Sequence, residues 1–295
     1  MGVPALGLIE RVRIGEHAVT LAFPSLQDDG SLRASSDYRG KPLPEQIAQV
    51  AEGRRWGYRS IDHLYYVSYA SASLLLDPQE AKPDSPEFGA LSKAYFGWFR
   101  IVQEWASAWS GQPLGNFDVS HESALHLPAR GGYLSASPVQ TRTIFIGARP
   151  LSRAELIGAL RHASRGEQLP VEHRLLLSAH DAQSGGDLRK AVIDAATATE
   201  VALGSYVADH LRGRGLKSDF IEEVIEDVNG IANLHKLCTH LGGDPKVSQK
   251  RLGQELANVR NRAAHRGALP TPEEATTARG HAQTIVRALR PIPEA

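Results

Sequence analysis

The chain has 295 residues, enough at ~100–200 residues per domain for two domains with their own cores. Lysine and arginine total 33, as do aspartate and glutamate, which excludes a protein that coats nucleic acid through bulk charge but not one with a local basic site. The single cysteine, Cys238, excludes an intrachain disulfide and a thiolate zinc site, and no apolar run approaches the ~18–20 residues of a membrane span.

In chain order, Met1-Gly2-Val3-Pro4-Ala5-Leu6 lacks the charged start and apolar stretch of a secretion signal, so a reducing cytoplasm is the expected setting. Val19-Thr20-Leu21-Ala22-Phe23 alternates as a half-buried strand does. Leu64–Tyr69 and Thr143–Ile146 are further strand candidates, separated by turn-rich stretches at 27–31, 82–86 and 129–132. A helix is expected from about Phe88 to Trp109, and it carries Tyr95, Phe96, Trp98, Phe99 and Trp105 as well. Such rings either stack on single-stranded RNA or pack a core, and burial is the commoner use of aromatic side chains.

After Pro150 the pattern turns helical. Ser152-Arg153-Ala154-Glu155 is a capping box that opens a helix running to Gly166. Further helices are expected from Pro170 to just before Gly185, from Asp187 to about Arg212, over 219–228 and 231–241, and from about Lys246 to Arg266. Thr271-Pro272-Glu273-Glu274, a second capping box with proline in the first turn, starts the last one. Cys238 falls within a helix, where a free cysteine usually serves as a small buried apolar residue. The expected class is α+β, with a β-rich domain over 1–150, carrying one aromatic-rich helix and of unassigned role, followed by an all-α bundle over 151–295.

The helix ending at Gly267 holds the candidate chemistry. Leu252, Leu256, Val259 and Ala263 recur at spacings of 4, 3 and 4 and define its core stripe. At ~100° per residue, Asn261 and His265 lie opposite that stripe, one turn apart, with Arg260 on the flank. Six basic residues and one acidic residue, Glu255, lie between Lys246 and Arg266. From the residues alone two readings stand: a solvated basic face whose histidine favours the helix carboxyl end, or a site that uses it. His17, His121 and His126 are scattered without carboxylates at metal-ligand spacing, so no metal site is expected.

The stretch Val259-Arg260-Asn261-Arg262-Ala263-Ala264-His265-Arg266-Gly267 resembles the signature of the HEPN superfamily, an arginine, a polar residue directly after it and a histidine a few positions on, near the end of a long bundle helix. The Ala-rich segment from Asp187 to Glu200 is similar to the helix with an inward glutamate that often opens such domains. The match covers about half the chain, and the first 150 residues lie outside it. The resemblance implies a metal-independent endoribonuclease, with Arg260, Asn261 and His265 catalytic, Arg262 and Arg266 binding RNA, and no cofactor. It also implies a homodimer that brings two motif helices together, and a role as toxin or antiphage effector, with a separate antitoxin or inhibitor as a partner and no membrane. Non-catalytic relatives leave a second reading open, a dimerisation module that binds a nucleotide or a partner. Glu200 falls at the centre of an apolar stripe formed by Ile193, Ala196, Leu203, Val207 and Leu211, so it is expected to need a basic partner, for which Arg260 is the candidate.

Overall fold

The computed structural model describes residues 8–22, 25–26, 32–33, 60–61, 64–65, 71–73, 86–111, 127–129, 132–134, 151–228 and 230–294. The chain divides into two compact units, 1–168 with 294–295, and 169–293. The division therefore falls between Gln168 and Leu169, and the helix opened by the first capping box lies with the first unit.

In the first unit, strand β1 (Ile9–Ile14) pairs antiparallel with β2 (His17–Ala22) through the two-residue turn Gly15-Glu16. Gly15 adopts φ 59°, a conformation that favours glycine. The other strands among the described residues are two or three residues long. The long element here is helix α1 (Pro86–Ser110), which buries Trp98, Val102, Trp105 and Ala106. Helix α2 (Arg153–Ser164) packs against α1 and β1. Its capping box forms as expected: Glu155 N–H donates to Ser152 Oγ, and Ser152 N–H donates to the Glu155 carboxylate. The Trp105 indole N–H donates to the Glu167 carbonyl at 2.8 Å, and its ring lies 3.8 Å from the imidazole of His162, nearly parallel to it.

These facts correct the expectation of a β-rich amino-terminal domain. The described residues are mostly helical, and a β-rich domain is not shown among them. The expected strand at 19–22 does lie in β2, and Leu64–Tyr65 forms a two-residue strand paired with Ser60–Ile61. The strand expected at 143–146 and the turns at 27–31 lie outside the described residues. Every described ring of α1 is buried or half-buried, which favours the packing use of its aromatics.

The second unit is helical throughout its described residues. It comprises α3 (Val171–Ser184), α4 (Leu188–Gly213), α5 (Ser218–Asp227), α6 (Ile231–His240), the composite helix α7 over 249–265 and α8 (Pro272–Leu289). Helix α4 is the axis of the bundle and packs against α3, α5, α6, α7 and α8. It can do so because its buried positions are largely small: Ala191, Ala195, Ala198, Thr199, Ala202 and Gly204 let neighbouring backbones approach closely. Val192, Leu203, Val207, Leu252, Leu256, Val259 and Ile285 fill the space between helices. Each large apolar side chain buried this way stabilises the fold by roughly 1.5–3 kcal/mol.

Helix α7 departs from a plain α-helix. Gln249–Leu252 opens it in α geometry under the Ser248 cap, Gly253–Ala257 is π-helical, and Asn258–His265 returns to α. In the π stretch the Asn258 N–H reaches back five residues to the Gly253 carbonyl. Such single π turns are uncommon and concentrate at functional sites.

Candidate functional site

The candidate residues stand on the last two turns of α7. Val259 and Ala263 point into the core, which turns the opposite side of the helix outward. Asn261, Arg262, His265 and Arg266 are exposed and Arg260 is half-buried, matching the stripe read from the sequence. The Arg260 Nη1 donates to the Asn261 Oδ1 at 3.1 Å, which ties the guanidinium to the amide beside it and leaves the remaining N–H groups available to an anion. His265 is the last residue of the helix, at its carboxyl end. The chain then turns away at Gly267, φ 64°.

The surrounding bases are engaged within the unit. Arg262 forms an ion pair with Glu274 in the first turn of α8. Arg189 donates to the Ala264 carbonyl at 3.4 Å, covering one of the orphan acceptors at the end of α7. Arg251 and His281 both bond Glu255. By contrast, His265 and the Arg266 side chain make no hydrogen bond or ion pair among the described residues, and Arg260 is bound only to the neutral Asn261. The helix therefore presents Arg260, Arg266 and an imidazole with no carboxylate bonded to them.

One expectation meets a competing contact and another needs correcting. Arg262 is ion-paired with Glu274, so a phosphate there would have to share or displace that carboxylate. The carboxyl of Glu274 lies below the usual carboxylate range because the Thr271 N–H donates to it, and Arg262 lowers it further. Glu200 is half-buried and makes no hydrogen bond or ion pair with Arg260 or any other described residue. The expected Ala196, Leu203 and Val207 are buried, but at the amino-terminal part of the face Val192, Ala195 and Thr199 are buried in place of Ile193 and Glu200. Thr199 fills the central gap and satisfies its hydroxyl by donating to the Ala195 carbonyl at 3.0 Å. A helix face read from spacing alone carries an error of one residue, ~100°, and here that error decides whether a carboxylate is buried.

Sequence reasoning missed the roles of Glu255, Glu274 and His281. Glu274 was visible only as a capping residue, which it also is, and no local pattern marks the π turn. Among the described residues no group of three or more His, Cys, Asp or Glu side chains is arranged to hold a metal ion, and no helix is long and apolar enough to cross a membrane. His121 and His126 lie outside the described residues. No family model matches the chain, and neither the curated proteins nor the solved structures give a significant match to it.

Proposed function

We propose that the second unit is a metal-independent endoribonuclease of the HEPN type, with Arg260, Asn261 and His265 as its catalytic residues and a homodimer as its active form. One observation carries the reading: on a helix where Arg251 is paired with Glu255 and Arg262 with Glu274, Arg260 and His265 project from adjacent turns with no carboxylate among the described residues bonded to them. RNA cleavage by its own 2′-hydroxyl needs an acceptor for that proton, a donor for the departing 5′-oxygen and a counter-charge for the phosphorane. Imidazole changes protonation near neutral pH and serves either proton step. Guanidinium stays charged and holds two phosphate oxygens at once. Arg260 and His265 are five residues apart, ~140° around the helix, so one chain does not aim both at one phosphate. Two copies of α7 facing each other across a twofold axis supply two Arg–His sets to one cleft. A cytoplasmic toxin or antiphage effector, restrained by an antitoxin or inhibitor, is the role that suits such an activity.

The test is incubation of the purified protein with total RNA in excess chelator. Cleavage with 2′,3′-cyclic phosphate and 5′-hydroxyl ends is expected, together with a dimer in light scattering. His265→Ala and Arg260→Ala should each lower the rate by ~10²–10⁴ without unfolding the bundle. Cleavage that stops in chelator and returns with magnesium refutes the mechanism. A native chain that dimerises and binds nucleotide but never cuts establishes instead the non-catalytic dimerisation module.

A further inference from the structure

We propose that His281 is a positioning residue for the motif helix: by bonding Glu255 it clasps the π turn of α7 and so sets the angle at which Arg260, Asn261 and His265 leave the bundle. The proposal rests on the catalytic reading above for its effect on cleavage, but not for its effect on the π turn.

Glu255 sits in the middle of the π stretch, and both of its carboxylate oxygens are taken. The His281 Nε2 lies 2.5 Å from Oε2, and the Arg251 Nε donates to Oε1 at 3.4 Å. Arg251 belongs to the α-helical turn before the π stretch, and His281 to α8, so the carboxylate links the segments on two sides of the distortion. These bonds, that from His281 foremost, hold the Glu255 carboxyl below the usual carboxylate range. The His281 side chain is only 11% exposed. Its neighbours Ala278, Ala282 and Ile285 are fully buried in the core, so the position of the imidazole is fixed by the bundle.

A second rung repeats the pattern. Arg262 pairs with Glu274, and both partners lie seven residues from the first rung, Glu255 to Arg262 along α7 and His281 to Glu274 along α8. The charges alternate: acid on α7 meets base on α8, then base meets acid. Arg260 and Asn261 fall between the rungs, and His265 follows one turn after the second. A π turn takes up one residue more than an α turn, so relaxing it would rotate the motif relative to Leu252 by about 100° and shift it by ~1.5 Å. A backbone form this unfavourable persists only where tertiary contacts over-determine it. The clasp on Glu255 is the polar contact within the stretch that can do so.

The experiment compares the full chain with His281→Ala, His281→Gln, Glu255→Ala and the double alanine variant. Hydrogen exchange at the Asn258 amide reads the π turn, amides of α4 serve as an internal control, and RNA cleavage is followed as kcat and KM. Loss of a hydrogen bond to a charged group should speed exchange at Asn258 by about tenfold or more in either alanine variant, with no further gain in the double variant. The amides of α4 should not change. His281→Gln, whose amide nitrogen can stand where Nε2 stood, should recover much of the protection. In cleavage the alanine variants should lose about tenfold or more in kcat with KM within about twofold, since they misplace the motif without removing a phosphate contact. Unchanged exchange at Asn258 in the alanine variants, or additive effects in the double variant, overturns the clasp. If His281→Ala does not fold, His281→Gln against Glu255→Ala decides the same point. A native chain that never cuts RNA refutes the catalytic reading alone, since the exchange measurements still test the clasp.

Discussion

Arg290, just beyond α8, offers the sharpest test of how the second unit is closed. Its Nε donates to Glu172 Oε1 at 3.2 Å, its Nη1 to Asp209 Oδ2 at 2.5 Å, and its carbonyl accepts from the His173 Nε2 at 2.8 Å. Glu172 is 3% exposed, in the first turn of α3, so Arg290→Ala strands a buried carboxylate. Removing one partner of a fully buried pair costs about 3–5 kcal/mol. The Arg290 side chain is 35% exposed, so water can reach the vacancy, and a cost nearer ~2–3 kcal/mol is expected. The Asp209 contact adds little, because that carboxylate is half in water. Glu172→Gln combined with Arg290→Met should cost less than the sum of the single changes, with a coupling of ~1–2 kcal/mol. Urea unfolding should be followed by far-ultraviolet circular dichroism. The four tryptophans all lie between Trp56 and Trp109, so indole fluorescence does not report on this unit. An Arg290→Ala cost below ~0.5 kcal/mol, or additive changes in the double variant, would refute the reasoning.

Other outcomes can be stated briefly. His173 and His180 both have pKa values below the ordinary 6.5, chiefly through burial, with Arg279 adding to the effect at His180. The unfolded chain therefore takes these protons first, so stability should be level above about pH 6.5 and fall below it. Thermal unfolding from about pH 8 to about pH 5 measures this, and His173→Gln should flatten the slope. Gly243→Ala would place a Cβ 2.4 Å from Cys238 Sγ, 2.7 Å from Tyr206 Cε1 and 3.0 Å from the Cys238 carbonyl oxygen. A backbone oxygen cannot swing away, so a loss of about 1–3 kcal/mol is expected, and an unchanged Tm would contradict the packing. Arg266→Ala should weaken RNA binding and lower the salt slope by about one. Arg262→Ala should leave the slope nearly unchanged and instead lower Tm, because its partner is Glu274; equal slopes for the two variants would argue against that distinction.

The helices were legible in the sequence because their boundaries are written locally. Ser152 with Glu155 and Thr271 with Glu274 are reciprocal caps that need only four consecutive residues, and both form. Gly166, Gly186, Gly242 and Gly267 stop helices with positive φ, as glycine after an apolar repeat suggests. The outward placement of Asn261 and His265 followed from the spacing of Leu252, Leu256, Val259 and Ala263, which all prove buried. Failures came where the deciding contact is distant in sequence. The π turn depends on residue 281 meeting residue 255, and the state of Arg262 on residue 274. In the first 150 residues the helix at 86–110 and the strand over Val19–Ala22 were legible, whereas a β-rich domain is not shown among the described residues; β-favouring side chains alone do not make a sheet.

The lone thiol also serves as a timer. Cys238 is fully buried, walled in by Gly243 and Tyr206, and burial pushes its pKa up to about 11. Only thiolate reacts with alkylating reagents at an appreciable rate, so the closed protein is protected twice, by access and by protonation. Labelling of the native chain at neutral pH therefore needs an opening at α6 or at the turn that carries Gly243. The rate of that labelling counts openings of the bundle without a single engineered residue, and ligands that close the bundle should slow it.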